Sequence, residues 1–384
     1  MTEKLYYADS HIKEFTATVL SCEKTDRGYE ILLDKTAFFP GGGGQEPDEG
    51  TIGDARVISA FEHGDDVIHI TETSLEAGTR YPCAIDWEKR FARMQIHSGE
   101  HIISGIVYSR WGFNNVGFHM NDDFAIIDFD GELTRQELDW VETQANIAIG
   151  RNIPFKAEFP DAQTLKNLHY RSKLELTENV RIVTAEGYDH CACCAPHVKL
   201  AGEVGGVKIL DFMRHRGGIR LEIRAGLSAL DDYRQKYESV AAISALLSVK
   251  QPEVASAVEK VLAEKAALAF ENSRLVKQLV AAKADALPAF DGSRAVFEKD
   301  FDSDALRFLV NEGMKKTGGV FAALSGEDGS YRFVAGSEKA DMNAFANALR
   351  QKLSARGGGK GHMIQGSIAA TRQEIEEFFA AISF

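Results

Sequence analysis

Arg93-Met94-Gln95-Ile96-His97-Ser98-Gly99-Glu100-His101-Ile102-Ile103 is the stretch from which the fold can be read outward. It lies in a proline-free run from Trp87 to Tyr108 that predicts a single helix, and residues four apart on a helix share one face. His97 and His101 therefore point the same way, one turn apart, beside an apolar face made by Ile96, Ile103 and Val107. Both rings can reach one ion. Two ligands do not close a site, because zinc takes three or four nitrogen, sulfur or oxygen donors. The best remaining donors stand about a hundred residues on, in Cys193-Cys194-Ala195-Pro196-His197. A zinc protease also uses histidines at this spacing, but it needs a glutamate directly after the first. Ser98 occupies that position, and Glu100 precedes the second histidine instead, so the protease reading is set aside.

On the N-terminal side, Thr16-Ala17-Thr18-Val19-Leu20 and Tyr29-Glu30-Ile31-Leu32-Leu33-Asp34 predict a hairpin around Asp26-Arg27-Gly28. It leads into Thr36-Ala37-Phe38-Phe39-Pro40-Gly41-Gly42-Gly43-Gly44-Gln45, where four glycines open the backbone to a ligand or to a turn. The run lacks the Lys-Ser/Thr of a phosphate loop and does not fit a dinucleotide fingerprint. Short strands follow at 55–59, 66–70 and 83–87.

On the C-terminal side, Asp123 to Phe129 predicts a strand, and Thr134 with Glu137 forms a capping-box pattern that opens a helix to Ile149. A polar and basic connection, Tyr170-Arg171-Ser172-Lys173, reaches the second half-site. Two strands, 207–212 and 219–223, come after it. From Leu227 to Leu287 the sequence is rich in Ala, Leu, Lys and Glu, and Pro252 divides it into two helices. In the second, Val254, Val258, Val261, Lys265, Leu268, Asn272, Leu275 and Leu279 alternate spacings of four and three, a heptad seam that suits a coiled coil or a helical hairpin packed on its own domain. From Ala289 onward strands and helices alternate as in a small α/β domain. Its segment Arg356 to Gly366, rich in glycine and bearing Lys360, reads as a loop able to contact phosphate or to serve as a connection.

The 384 residues suffice for two or three domains. A net charge of -13 argues against a surface that grips nucleic acid everywhere but leaves room for a local basic patch. Three of the five cysteines crowd into 191–194, which favours metal or redox use over a disulfide framework. No apolar run suits a secretion signal or a membrane span, so a cytoplasmic protein without a membrane partner is expected.

Together the motifs resemble one family, the free-standing alanyl-tRNA editing proteins of the long AlaX type, themselves similar to the editing and C-terminal parts of alanyl-tRNA synthetase. The match runs along nearly the whole chain: Thr36-Ala37-Phe38-Phe39-Pro40, Gly43-Gly44-Gln45, Asp48-Glu49-Gly50, Asp86-Trp87 with Arg90, His97 and His101, Cys193 and His197, and Gly218-Ile219-Arg220-Leu221-Glu222. The family has Cys-Gly-Gly-Thr-His where this chain has Cys193-Cys194-Ala195-Pro196-His197, and Thr-Ala where it has Ser98-Gly99. The spacing of ligands survives, while Cys194 and Cys191 stand as rivals to Cys193.

The resemblance implies an α+β protein with four parts: a β-barrel-like glycine-motif subdomain over 1–87, a zinc-binding editing domain over 88–225, a coiled-coil-like helical linker over 226–288 and a glycine-rich α/β domain over 289–384. It implies one zinc ion held by His97, His101, Cys193 and His197. The implied activity is hydrolysis, in trans, of the ester joining serine, or glycine, to tRNA(Ala), since a synthetic pocket rejects such near-isosteres by only about 1–3 kcal/mol. By the same resemblance Thr36 reads the serine hydroxyl, with Gln45 nearby in the glycine loop; Glu100, which either takes part in proton transfer or faces solvent, is the third catalytic candidate. Gly43, Gly44 and Arg93, together with Lys208, Arg216, Arg220 and Lys360, are expected to contact the substrate and its tRNA. A homodimer through the linker or the terminal domain fits the seam. The alternative is a non-catalytic, zinc-containing tRNA-binding module.

Overall fold

A computed structural model describes residues 1–172 and 179–382, so Lys173 of the basic connection lies outside the described residues. Strand and helix are mixed throughout, and the chain divides into two compact units, Met1–Ala242 and Ile243–Phe384.

In the first unit the expected hairpin is longer than its apolar core, Glu14–Thr25 pairing with Gly28–Leu33. Four more strands, Gly50–Ile52, Ala55–His63, Asp66–Thr71 and Arg80–Ile85, continue the pairing until Arg80–Ile85 returns to Glu14–Thr25. Alternate residues point inward, so Ala17, Val19, Ile31, Leu33, Val57 and Cys83 form one core with Phe38. Thr36 and His69 are polar members of this interior. Thr36 Oγ1 lies 2.8 Å from His69 Nε2, and His69 Nδ1 donates to the carbonyl of Ile31 at 3.1 Å.

Burial holds the His69 ring neutral, with a pKa lowered to about 4. The unfolded chain then binds more protons than the folded one between about pH 6.5 and 4, so stability falls as pH drops through that window. We expect about 2 kcal/mol of unfolding free energy to be lost from this group between pH 8 and pH 5. Urea titrations of the native and His69→Gln proteins at the two pH values check this, the variant losing less; equal losses would contradict it.

The histidine helix spans Trp87–Trp111. Asp86 caps it by accepting from the Lys89 N–H, and Gly112, at φ 75°, closes it with an N–H donated to Tyr108. It packs on a four-stranded antiparallel sheet in the order Val207–His215, Gly218–Ala225, Ala125–Phe129, Asn115–Met120, and on the helix Arg135–Gly150. The Thr134–Glu137 capping box forms as the spacing predicts. Gly99 faces the sheet, where a β-carbon would come within 2.6 Å of Val207 Cγ1, so the helix can lie this close only without one. A three-stranded sheet, Phe155–Glu158, Ile182–Ala185 and Asp189–Ala192, carries the chain to the second half-site.

A 3-10 turn at Gln251–Glu253 separates the helices Gly226–Leu247 and Val254–Ala286, the position Pro252 predicts. In the second unit the seam does not pack on its own domain: Val258, Val261, Leu268, Leu275 and Leu279 are all exposed. Only the end of that helix, through Val280 and Ala284, joins a core with Phe301, Leu306, Leu309 and Val310. Five strands follow in the order Arg294–Glu298, Phe321–Glu327, Ser330–Gly336, Met363–Ile368, Arg356–Lys360. The segment 356–366, expected as a loop, is thus a hairpin on the sheet edge. Backbone groups alone make its ladder, so a side-chain pattern cannot announce it. Among the described residues no helix is long and apolar enough to cross a membrane.

Candidate metal centre

Four side chains expected from the sequence meet in the first unit. The donor atoms of His97, His101, Cys193 and His197 all lie within 4.8 Å of one another. Cys193 Sγ is 3.7 Å from His97 Nε2 and 3.4 Å from His197 Nε2. A tetrahedral zinc with bonds of about 2.1–2.3 Å separates its ligand atoms by about 3.4–3.8 Å, which the two Cys193 separations match.

Each imidazole is turned by a partner on its other nitrogen. His97 Nδ1 donates to Gln45 Oε1 at 3.0 Å, His101 Nδ1 to Asp189 Oδ2 at 3.0 Å, and His197 Nδ1 meets Ser98 Oγ at 3.1 Å. These bonds leave the three Nε2 lone pairs for a shared ion, the arrangement that orients and strengthens imidazole ligands. Asp189 is clamped in turn by Arg171 through two hydrogen bonds of 2.7 Å. Burial works against ionisation of Asp189, but the bonds from His101 and Arg171 outweigh it and keep its carboxyl below the usual range. Burial first, and then the neighbouring His101 and His97, push His197 well below the ordinary imidazole value, so it offers a lone pair at neutral pH. The Cys193 thiol is raised by burial, with Cys194 and Cys191 adding to the effect. A cation in the cluster is what would favour its thiolate.

The rival cysteines are placed differently. Cys194 is not in the four-donor group; its sulfur faces the glycine loop, 3.2 Å from where a β-carbon on Gly42 would sit. Cys191 approaches a second set with His101 and Asp189, but Asp189 is already occupied by Arg171.

Three of the four, His97, His101 and Cys193, line a cavity of about 570 Å³, whose wall also includes Tyr7, Gly43, Gly44, Phe118 and Arg181. Gly44, at φ 87°, lies where a β-carbon would collide with the Phe118 ring at 2.5 Å. Glu100 also lines the cavity and is buried. Its Oε1 accepts from Asn115 at 2.7 Å and from the Ser104 hydroxyl, while Oε2 stands 3.9 Å from His101 Nε2. Glu100 therefore faces the cluster, not solvent.

The remaining expected contacts are more dispersed. Thr36 is fully buried on His69 and does not line the cavity. Arg93 donates to Asp122 at 2.8 Å and to the Pro47 carbonyl at 2.8 Å, and pairs with Glu46, which fixes the exit of the glycine loop. Lys208 is paired with Glu142 at 2.7 Å, and Arg220 holds Asp128 through two bonds of 2.7 Å. Arg216 occupies the exposed turn between those strands, at φ 47°. In the second unit Lys360 ends the edge strand, exposed. Sequence reading missed Ser98, Arg171, Arg181 and Asp189 as members of the site. Arg181 had a signal: it interrupts the apolar run Val180-Arg181-Ile182-Val183.

Two domain families match. Residues 180–228 match the threonyl and alanyl tRNA synthetase second additional domain, and residues 289–383 match the DHHA1 domain. The mouse (Mus musculus) alanyl-tRNA editing protein Aarsd1 is 26% identical over 96% of this chain and 94% of its own length. The alanyl-tRNA editing protein AlaX-L of Pyrococcus horikoshii is 27% identical over 98% of this chain and 96% of its own. An alanine--tRNA ligase of Halorubrum lacusprofundi is 29% identical over 93% of this chain, which spans only 40% of that enzyme. Similarity over 96–98% of its length makes the chain a homologue of the alanyl-tRNA editing proteins Aarsd1 and AlaX-L.

Proposed function

We propose that this protein hydrolyses the ester of tRNA(Ala) mischarged with serine or glycine, in trans, with one zinc ion held by His97, His101, Cys193 and His197. The observation that carries the reading is the convergence of three oriented imidazoles and a thiol, three of the four lining one cavity, in a chain similar over 96% of its length to an alanyl-tRNA editing protein. Held by all four side chains, zinc would have no open position and would hold the site together or orient the acylated ribose; with a position opened it would supply Lewis acidity at an ester carbonyl or a lowered pKa for water. The chain's own groups do the rest. Gln45, Asp189 and Ser98 fix the three rings; Gly43 and Gly44 leave the wall free of side chains; Glu100 Oε2 lies on the cavity side as an acceptor for a proton released near His101.

The exposed seam on Val254–Ala286 is the proposed contact for a second copy of the chain. The non-catalytic alternative would need the fold but not the oriented donors. Deacylation of seryl-, glycyl- and alanyl-tRNA(Ala), with zinc counted on the same preparation, tests the reading. Release of serine or glycine with alanine spared is expected; stoichiometric zinc without hydrolysis of any of the three would sink it.

A further inference from the structure

Arg181 flanks the strand Ile182–Ala185 in the cavity wall and is only 7% exposed. Its Nη1 donates to the carbonyls of Cys193 at 2.9 Å and Ala195 at 2.8 Å, and its guanidinium lies 5.2 Å from the centre of the Tyr7 ring. Its Nε is buried without a hydrogen-bond partner. Arg90, Arg93 and Arg171 each face a carboxylate. Among the described residues Arg181 faces none.

An unpaired cation is costly to bury, and burial lowers its pKa, yet a guanidinium does not give up its proton in a protein. Two bonds to carbonyls use two of its five donors and none of its charge requirement. Such a group is made for an anion that arrives with the ligand. The aminoacylated end of a tRNA offers a neutral ester, a neutral base and an amino group that is cationic or neutral. Its phosphodiester is the permanent anion.

We infer that Arg181 binds the phosphodiester on the 5′ side of the terminal nucleotide, and so sets the position of the ester relative to Cys193. The inference rests on the editing reading. Because the same guanidinium grips the Cys193 carbonyl, the anchor for the phosphate and the backbone of a ligand are one rigid unit. A bidentate guanidinium suits the two free oxygens of a phosphodiester.

The alternative role, pinning the 193–195 segment and nothing more, is separable by experiment. Two inert analogues, 3′-serylamino-3′-deoxyadenosine and its 5′-phosphate, are titrated calorimetrically into the full-length zinc protein, native and Arg181→Gln. The native protein is expected to bind the phosphorylated analogue roughly 10- to 100-fold more tightly. Arg181→Gln should bring that ratio close to one, whatever its effect on the affinity for the phosphate-free analogue, and zinc content is counted on both proteins. A native ratio near one, or a variant that loses both affinities equally and keeps the ratio, overturns the inference. Should Arg181→Gln fail to fold, Arg181→Lys keeps the charge without the fork; a ratio as high as the native one there overturns the bidentate anchor, and a reduced one supports it. A native protein that binds neither analogue overturns the editing reading itself, and this inference with it.

Discussion

Cys193→Ala is expected to lose its zinc and to deacylate seryl-tRNA(Ala) more than about 100-fold more slowly than the native protein. The bound comes from the partners one layer out, whose removal typically costs about 10- to 100-fold in metal affinity or activity; loss of a ligand must exceed that. Asp189→Asn, which keeps the shape of the bond to His101 but not its charge, should fall inside that range. Cys194→Ala serves as the discriminating control. With its sulfur on the glycine loop and outside the four-donor group, it should retain full zinc. Zinc measured by plasma mass spectrometry, alongside the deacylation rate of each variant, decides the matter. If Cys194→Ala loses the ion and Cys193→Ala keeps it, the ligand assignment is wrong.

The second large effect concerns stability. Arg90 is completely buried, donates to Asp48 Oδ1 at 2.9 Å and to Asp48 Oδ2, and reaches the carbonyls of Ala37 at 2.8 Å and Ser10 at 3.2 Å. Asp48 Oδ2 also accepts the Phe39 N–H at 2.7 Å. This one pair therefore fastens the histidine helix to both ends of the glycine loop. Breaking it from one side leaves an uncompensated charge indoors, and Asp48→Ala is expected to cost about 3–5 kcal/mol. Urea unfolding of the native, Asp48→Ala and Asp48→Ala/Arg90→Met proteins checks the physical cause. The double variant should recover part of the loss, because no charge is then stranded. Equal destabilisation of single and double variants would show that packing, not charge, dominates.

The legible parts of this molecule are those governed by local spacing. His97 and His101 share a helix face because of the helical repeat, Thr134 and Glu137 close a box across one turn, and Pro252 breaks a helix wherever it stands. What depends on the chain meeting itself was not legible. Three cysteines within four residues look alike on paper, and only the path after Asp189–Ala192 decides that Cys193 turns toward the histidines while Cys194 turns toward Gly42. Gln45 was expected at the substrate, and its bond to His97, 52 residues on, is a contact that spacing does not announce. Lys208 and Arg220 were expected to contact the tRNA, and the carboxylates that pair with them in the fold, Glu142 and Asp128, are 66 and 92 residues away. The hairpin of 356–366 escaped for a different reason, since glycines announce what the backbone can do and not what it pairs with.

His97 and Cys193 stand 96 residues apart along the chain, and an ion shared between them is a cross-link as much as a reagent. Tying such a loop removes freedom from the unfolded chain, and the cost of closure rises only slowly with loop length. The folded sheet meets that cost once, and a bound ion would then add its binding energy to folding. Metal supply would thereby govern how long the protein survives as well as how fast it works: a cell short of zinc would hold fewer folded copies, not merely slower ones.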